Sequence, residues 1–117
     1  MQAIAKREYM DALTGMDSGW IIRSMLDATP YMKRMHITLH KLALKRLFRI
    51  NPHEVADELL SALAYHINTD DNPTMKSSAR VCLSDAQACF ERADYAHAIE
   101  RARRGFEYLG YTYLTRN

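Results

Sequence analysis

The sequence predicts an all-α fold, a compact bundle of five or six helices joined by short loops. Three observations predict it. Each of the three prolines follows a residue that caps helices well, in Thr29-Pro30, Asn51-Pro52 and Asn72-Pro73. Proline suits the first helical position because the N–H it lacks has no intrahelical partner there. Apolar residues recur at helical period: Met32, Met35, Leu39, Leu42, Ala43 and Leu47 share one face, and Val55, Leu59, Ala62 and Leu63 share another with His66. No run alternates apolar with polar residues, and no Asn-Gly or Asp-Gly pair marks a hairpin.

The elements follow in order. A first helix over 2–13 ends near Thr14-Gly15. A second over 18–28, capped by Asp17 or Ser18, carries Trp20, Ile21, Ile22, Met25 and Leu26. The third spans 30–49 from Pro30. The fourth spans 52–67, where Asn51 and Glu54 make an approximate capping box. The fifth spans 73–91. The sixth, over 94–114, is capped by Asp94 and carries the stripe Tyr95, Ala98, Ile99, Ala102, Phe106 and Leu109. The longest and most polar loop is expected at 68–72. Nothing marks a linker, so residues 1–117 are expected to form a single domain.

With 117 residues, 48% of them hydrophobic, the chain can bury one modest core. Lysine and arginine number 16 against 14 acids, a net charge of +2 that is too weak to imply nucleic acid or a membrane surface. No apolar run is long enough to span a bilayer, and Lys6, Arg7, Glu8 and Asp11 interrupt the N-terminal segment, which therefore reads as no signal peptide. Cys82 and Cys89 lie two turns apart on one helix, about 10 Å, too far for a disulfide. Buried thiols and a cytoplasmic location are expected.

Charge is segregated by helix. Residues 31–50 carry six bases and no acid, with Arg34, Lys41, Lys45 and Arg49 along one side. Residues 51–71 carry five acids and no base. The basic side can pair with the acidic helix after it, or it can bind an acidic protein surface or phosphates. Seven methionines and seven tyrosines are many for this length; both types fill cores, and both line partner-binding surfaces. Tyr108, Tyr111 and Tyr113 gather at the terminal end. His36 and His40 have a metal-compatible spacing with no third ligand, so a packed pair is the expectation. No phosphate loop, nucleophile motif or Cys–His set is present, and no metal or cofactor is expected.

The stretch R-G-F-E-Y-L-G-Y, residues 104–111, nearly matches an RNA-recognition strand at Arg104, Gly105, Phe106 and Tyr111. Glu107 breaks the match, and the six residues after Tyr111 leave no room for the further helix and strand of that fold. A terminal helix is expected instead, its two glycines allowing close packing or ending it.

Residues 79–109 resemble a single tetratricopeptide-type helical hairpin. The resembling residues are the small Ala86, the turn Ala93-Asp94-Tyr95 and the pair Ala98-Ile99, with Ala93 standing where such turns carry glycine. The resemblance implies two antiparallel helices with Tyr95 packed back over the turn. Arg92 and His97 have the Arg-x4-His spacing that resembles HEPN proteins, some of which cleave RNA without metal. That resemblance implies an arginine holding phosphate and a histidine moving a proton.

The expected role is non-enzymatic: an accessory protein of the bacterial or phage kind that binds another protein as adaptor, chaperone or inhibitor. The partner surface is expected at Arg34, Lys41, Lys45, Arg49, Arg101, Arg104, Tyr108 and Tyr111, and a homodimer is compatible with it. One alternative is a nucleic-acid binder using the basic helix and the cluster Arg101, Arg103 and Arg104. A second is a HEPN-like ribonuclease.

Overall fold

The computed structural model describes residue 19 and residues 21–23, 34–69 and 71–111; for 34–38 only the backbone is described. Four helices have defined bounds: α1 Arg34–Ile50, α2 Pro52–Thr69, α3 Pro73–Glu91 and α4 Tyr95–Tyr108. Gly19 and residues 21–23 are also helical, and no strand occurs among the described residues. The fold is all-α, as the proline and period signals predict. The expected helix over 2–13, most of that over 18–28 and the first turn of the third lie outside the described residues.

The caps predicted at Asn51, Asn72 and Asp94 form, while those predicted at Asp17 or Ser18 and at Thr29-Pro30 lie outside the described residues. The Asn72 side-chain oxygen accepts from the backbone N–H groups of Thr74 at 3.1 Å and Met75 at 3.3 Å, with Pro73 opening α3. Asn51 accepts from the Glu54 N–H at 3.1 Å and donates its amide to the Glu54 carboxylate at 3.3 Å. Asn51 is also the single residue between α1 and α2. Its own N–H still reaches the Leu47 carbonyl at 2.8 Å and its carbonyl accepts from the Val55 N–H at 3.4 Å, so the hydrogen-bond ladder runs nearly unbroken past Pro52, which has no N–H to give. At the other end of α2, the Thr69 hydroxyl donates to the carbonyls of Tyr65 and His66. That carries α2 two residues past its expected end and shortens the loop expected at 68–72.

α2 packs against each of the other three helices, and α3 packs most extensively with α4. The core combines Val55, Leu59, Leu60, Leu63 and Ile67 of α2 with Ala79, Cys82, Ala86 and Cys89 of α3 and Ala98, Ala102 and Phe106 of α4; Ile21, Ile22 and Ala43 complete it. Both cysteines are buried and unbridged. Leu42 departs from expectation: it is 44% exposed. Residues 39, 40, 43 and 47 turn toward the core, and position 42 falls about 100° from Ala43 on the helix, outside that arc.

The turn between α3 and α4 is closed by two hydrogen bonds, Ala93 N–H to Phe90 O and Asp94 N–H to Cys89 O, each 2.9 Å. This is a Schellman cap, which requires a left-handed residue at Ala93, and its φ is 60°. Glycine adopts that conformation freely and alanine does not. Tyr95 packs over the turn, its ring 5.4 Å from Phe90 and 5.5 Å from His53.

α4 ends in the same way. Gly110 N–H bonds Glu107 O at 3.0 Å, Tyr111 N–H bonds Phe106 O at 2.9 Å, and Gly110 has φ 92°. The helix therefore stops at Tyr108 rather than running toward 114. Tyr111 folds back so that its ring lies 5.9 Å from Phe106 and its hydroxyl 3.1 Å from His66 Nδ1. The segment 104–111 is a helix terminus, and its two glycines have separate tasks. Gly110 turns the chain, while Gly105 admits a close approach: a Cβ there would lie 2.6 Å from one Leu63 methyl and 3.0 Å from the other.

Ala93 and Gly105 make opposite stability predictions. Ala93→Gly relieves the left-handed alanine and should stabilise the fold by about 1 kcal/mol, read as a higher urea midpoint. Gly105→Ala gains about 1 kcal/mol of helix propensity but drives into a fully buried Leu63, an overpacking cost of roughly 1–3 kcal/mol. The urea midpoint should fall, and Gly105→Val should lower it further.

Candidate functional site

An open groove of about 420 Å³ lies between α1, α2 and α4. Its lining follows helical period. α1 contributes Lys41, Leu44, Lys45, Phe48 and Arg49, spaced i, i+3, i+4, i+7 and i+8, so all five share one face. α4 contributes Ala96, Ile99 and Arg103, and α2 contributes Val55 and Leu59, with Ile22 beside them. The floor is apolar: Ile22, Val55 and Leu59 are buried, and Leu44, Phe48 and Ile99 are half-buried. The rim is cationic, formed by Lys41, Lys45 and Arg49 on one wall and Arg103 on the other.

No acid is among the described residues lining the groove. Ion pairing among the described residues joins His97 to Asp94, and the rim bases do not pair with the acids of α2. The rim charges act on one another instead. Burial pushes the Lys41 ammonium below its ordinary lysine pKa, and the neighbouring charges of Arg103 and Lys45 push it further the same way.

The expected partner-binding residues divide between this groove and a separate surface. Lys41, Lys45 and Arg49 line the groove together. Arg34 opens α1, and its side chain lies outside the described residues. Arg104 lies about 100° and Arg101 about 160° round α4 from Arg103, as offsets of one and two residues dictate. Their charges act on the Cys82 thiol of α3, which burial and Asp85 push upward and these arginines pull down. Arg104 and the half-exposed Tyr108 border a different hollow with Met75 and Glu107. Tyr111 is held against His66 and Phe106. Leu44 and Phe48 are floor residues that the sequence expectation leaves out. Their signal is present in the sequence, since both fall within about 60° of Lys41 on the wheel, an apolar strip beside the basic one.

Arg92 and His97 occupy the ends of the α3–α4 turn. Arg92 donates to Cys89 Sγ at 3.5 Å. His97 Nδ1 meets both oxygens of the Asp94 carboxylate, at 2.8 and 3.0 Å. The hydrogen bond from His97 holds the Asp94 carboxyl below its ordinary pKa. His40 is buried in α1, 1% exposed, consistent with a packed histidine. No three His, Cys, Asp or Glu side chains among the described residues converge as a metal site. None of the described helices is long and apolar enough to cross a membrane.

The electrostatics of the rim are open to a direct check. Arg103→Gln removes one of the charges that disfavour the Lys41 ammonium, so the Lys41 titration should move up toward the ordinary lysine value. Burial and Lys45 should keep it from reaching that value. NMR of the Lys41 Cε methylene across pH reads the shift, and an unmoved titration would separate Arg103 from the rim.

Comparison with protein-family models, with curated proteins and with solved structures gives no match to the chain.

Proposed function

We propose that this is a non-enzymatic binding module that engages another protein, as adaptor, chaperone or inhibitor, through the groove between α1, α2 and α4. The observation that carries the reading is the pairing of an apolar floor with four cations that no described acid neutralises. Apolar side chains left half-buried gain when a partner completes their burial, roughly 1.5–3 kcal/mol for a Leu, Ile or Phe taken fully from water. Cations left unneutralised around them select the partner by charge and speed its approach. The buried free thiols Cys82 and Cys89 suit a reducing compartment such as the cytoplasm.

Nucleic acid is the second reading, and the same four cations favour it. Binding through four phosphates would weaken with salt at a logarithmic slope of roughly −3 to −4, about −0.9 for each phosphate on a duplex.

Lys45→Glu combined with Arg49→Glu tests the groove without touching the core, because both side chains are exposed. In cross-linking from lysate with nuclease present, the doubly reversed protein should lose its principal protein adduct while its thermal melt stays unchanged. A retained adduct would place the interface elsewhere on the molecule.

A further inference from the structure

The protein-binding reading can be taken one step further, to the kind of segment that occupies the groove, and this step rests on that reading. We infer that the groove receives an amphipathic acidic α-helix of a partner protein, with its apolar stripe on the floor and its carboxylates against the rim.

Three features point to a helix rather than to another kind of segment. No strand is present among the described residues, so the groove offers no sheet edge for an extended peptide to join. A polyproline segment docks between aromatic rings, and Phe48 is the only aromatic residue among the described residues of the lining. The floor is aliphatic apart from Phe48 and is walled by helices, the setting in which a helix lays its apolar face into a groove. A nucleic-acid strand would use the rim but leave that floor unused, because single strands stack their bases on aromatic platforms.

The rim sets the charge pattern of the occupant. Residues 41, 45 and 49 step along α1 by four, about 6 Å each and about 12 Å in total. A helix lying alongside α1 meets them with Asp or Glu at i, i+4 and i+8. Its apolar residues at j, j+3, j+4 and j+7, on the strip beside those acids, then cover Leu44, Phe48, Leu59 and Ile99, and Arg103 meets the opposite flank. The acids of α2 in a second copy match the charge but not the apolar stripe, because Val55, Leu59 and Leu63 of that helix are buried in its own core.

The test is selection of a random 16-residue peptide library on the immobilised full chain, followed by anisotropy titration of the synthetic winners. Winners should carry net negative charge, acids four residues apart and aliphatic or Phe residues at helical period. Lys45→Glu/Arg49→Glu should weaken them at least about tenfold, as should Leu44→Ser, with the thermal melt of the charge-reversed protein unchanged. Winners that are neutral, basic or without helical spacing would overturn the inference. So would winners indifferent to the charge reversal; they would leave the protein-binding reading standing at another surface. An absence of winners together with a dT20 oligonucleotide that binds the chain and is lost on charge reversal would overturn both. Dimerisation of the free chain that the same substitutions abolish would assign the groove to a second copy instead.

Discussion

The close seating of α4 on α2 and α3 is the constraint on which the described structure depends. It is made possible by absence of bulk. Ala98, Ala102 and Gly105 follow one another at four and three residues, and all three are buried. At Gly105 the two helices approach so nearly that Leu63 occupies the space where a side chain would begin. Phe106, the largest fully buried side chain among the described residues, then fills the interior beside this seam. Because α4 sits this deep, the next strip round its surface, Ile99 and Arg103, comes level with α1 and closes the groove from the opposite wall.

The charges of that groove run against the stability of the fold. A protein stabilised only for itself would place acids among Lys41, Lys45, Arg49 and Arg103, and this chain supplies acids on the very next helix. Glu54 is engaged in the Asn51 cap instead, and neither it nor Asp57 or Glu58 bridges to the rim. Burial is the main reason the Lys41 pKa is depressed, and the charges of Arg103 and Lys45 add to it in the same direction. Departures of this kind from local self-consistency concentrate at functional surfaces. The α3–α4 turn carries a comparable strain in Ala93, although nothing in the described structure gives that residue a task beyond closing the turn.

The helix starts were legible because prolines and capping side chains act locally. Asn51, Asn72 and Asp94 each bond the N–H groups that their positions predict. The helix ends were less so. The stripe through Leu109 suggests a helix continuing to 114, whereas the bonds from Gly110 and Tyr111 that stop it depend on one left-handed glycine. Half of the site was legible. The basic strip on α1 is a matter of spacing along one helix, but its apolar companions Leu44 and Phe48 became a floor only through α2 and α4. Helical period orders the residues round a cylinder without saying which arc faces a neighbour. The same ambiguity placed Leu42 inward and grouped Arg101 and Arg104 with Arg103, although they lie on different sides of α4.

The joint at Asn51 bears on how one wall of the groove is held. α1 forms one whole wall, and among the described residues it packs chiefly on α2, to which a single residue connects it. The hydrogen bonds from Asn51 N–H to Leu47 O and from Val55 N–H to Asn51 O carry the ladder across that residue. A joint bonded on both sides ties the direction of α1 to that of α2, so the cations at 45 and 49 and the apolar side chains at 55 and 59 are held in register by one short, stiff length of chain.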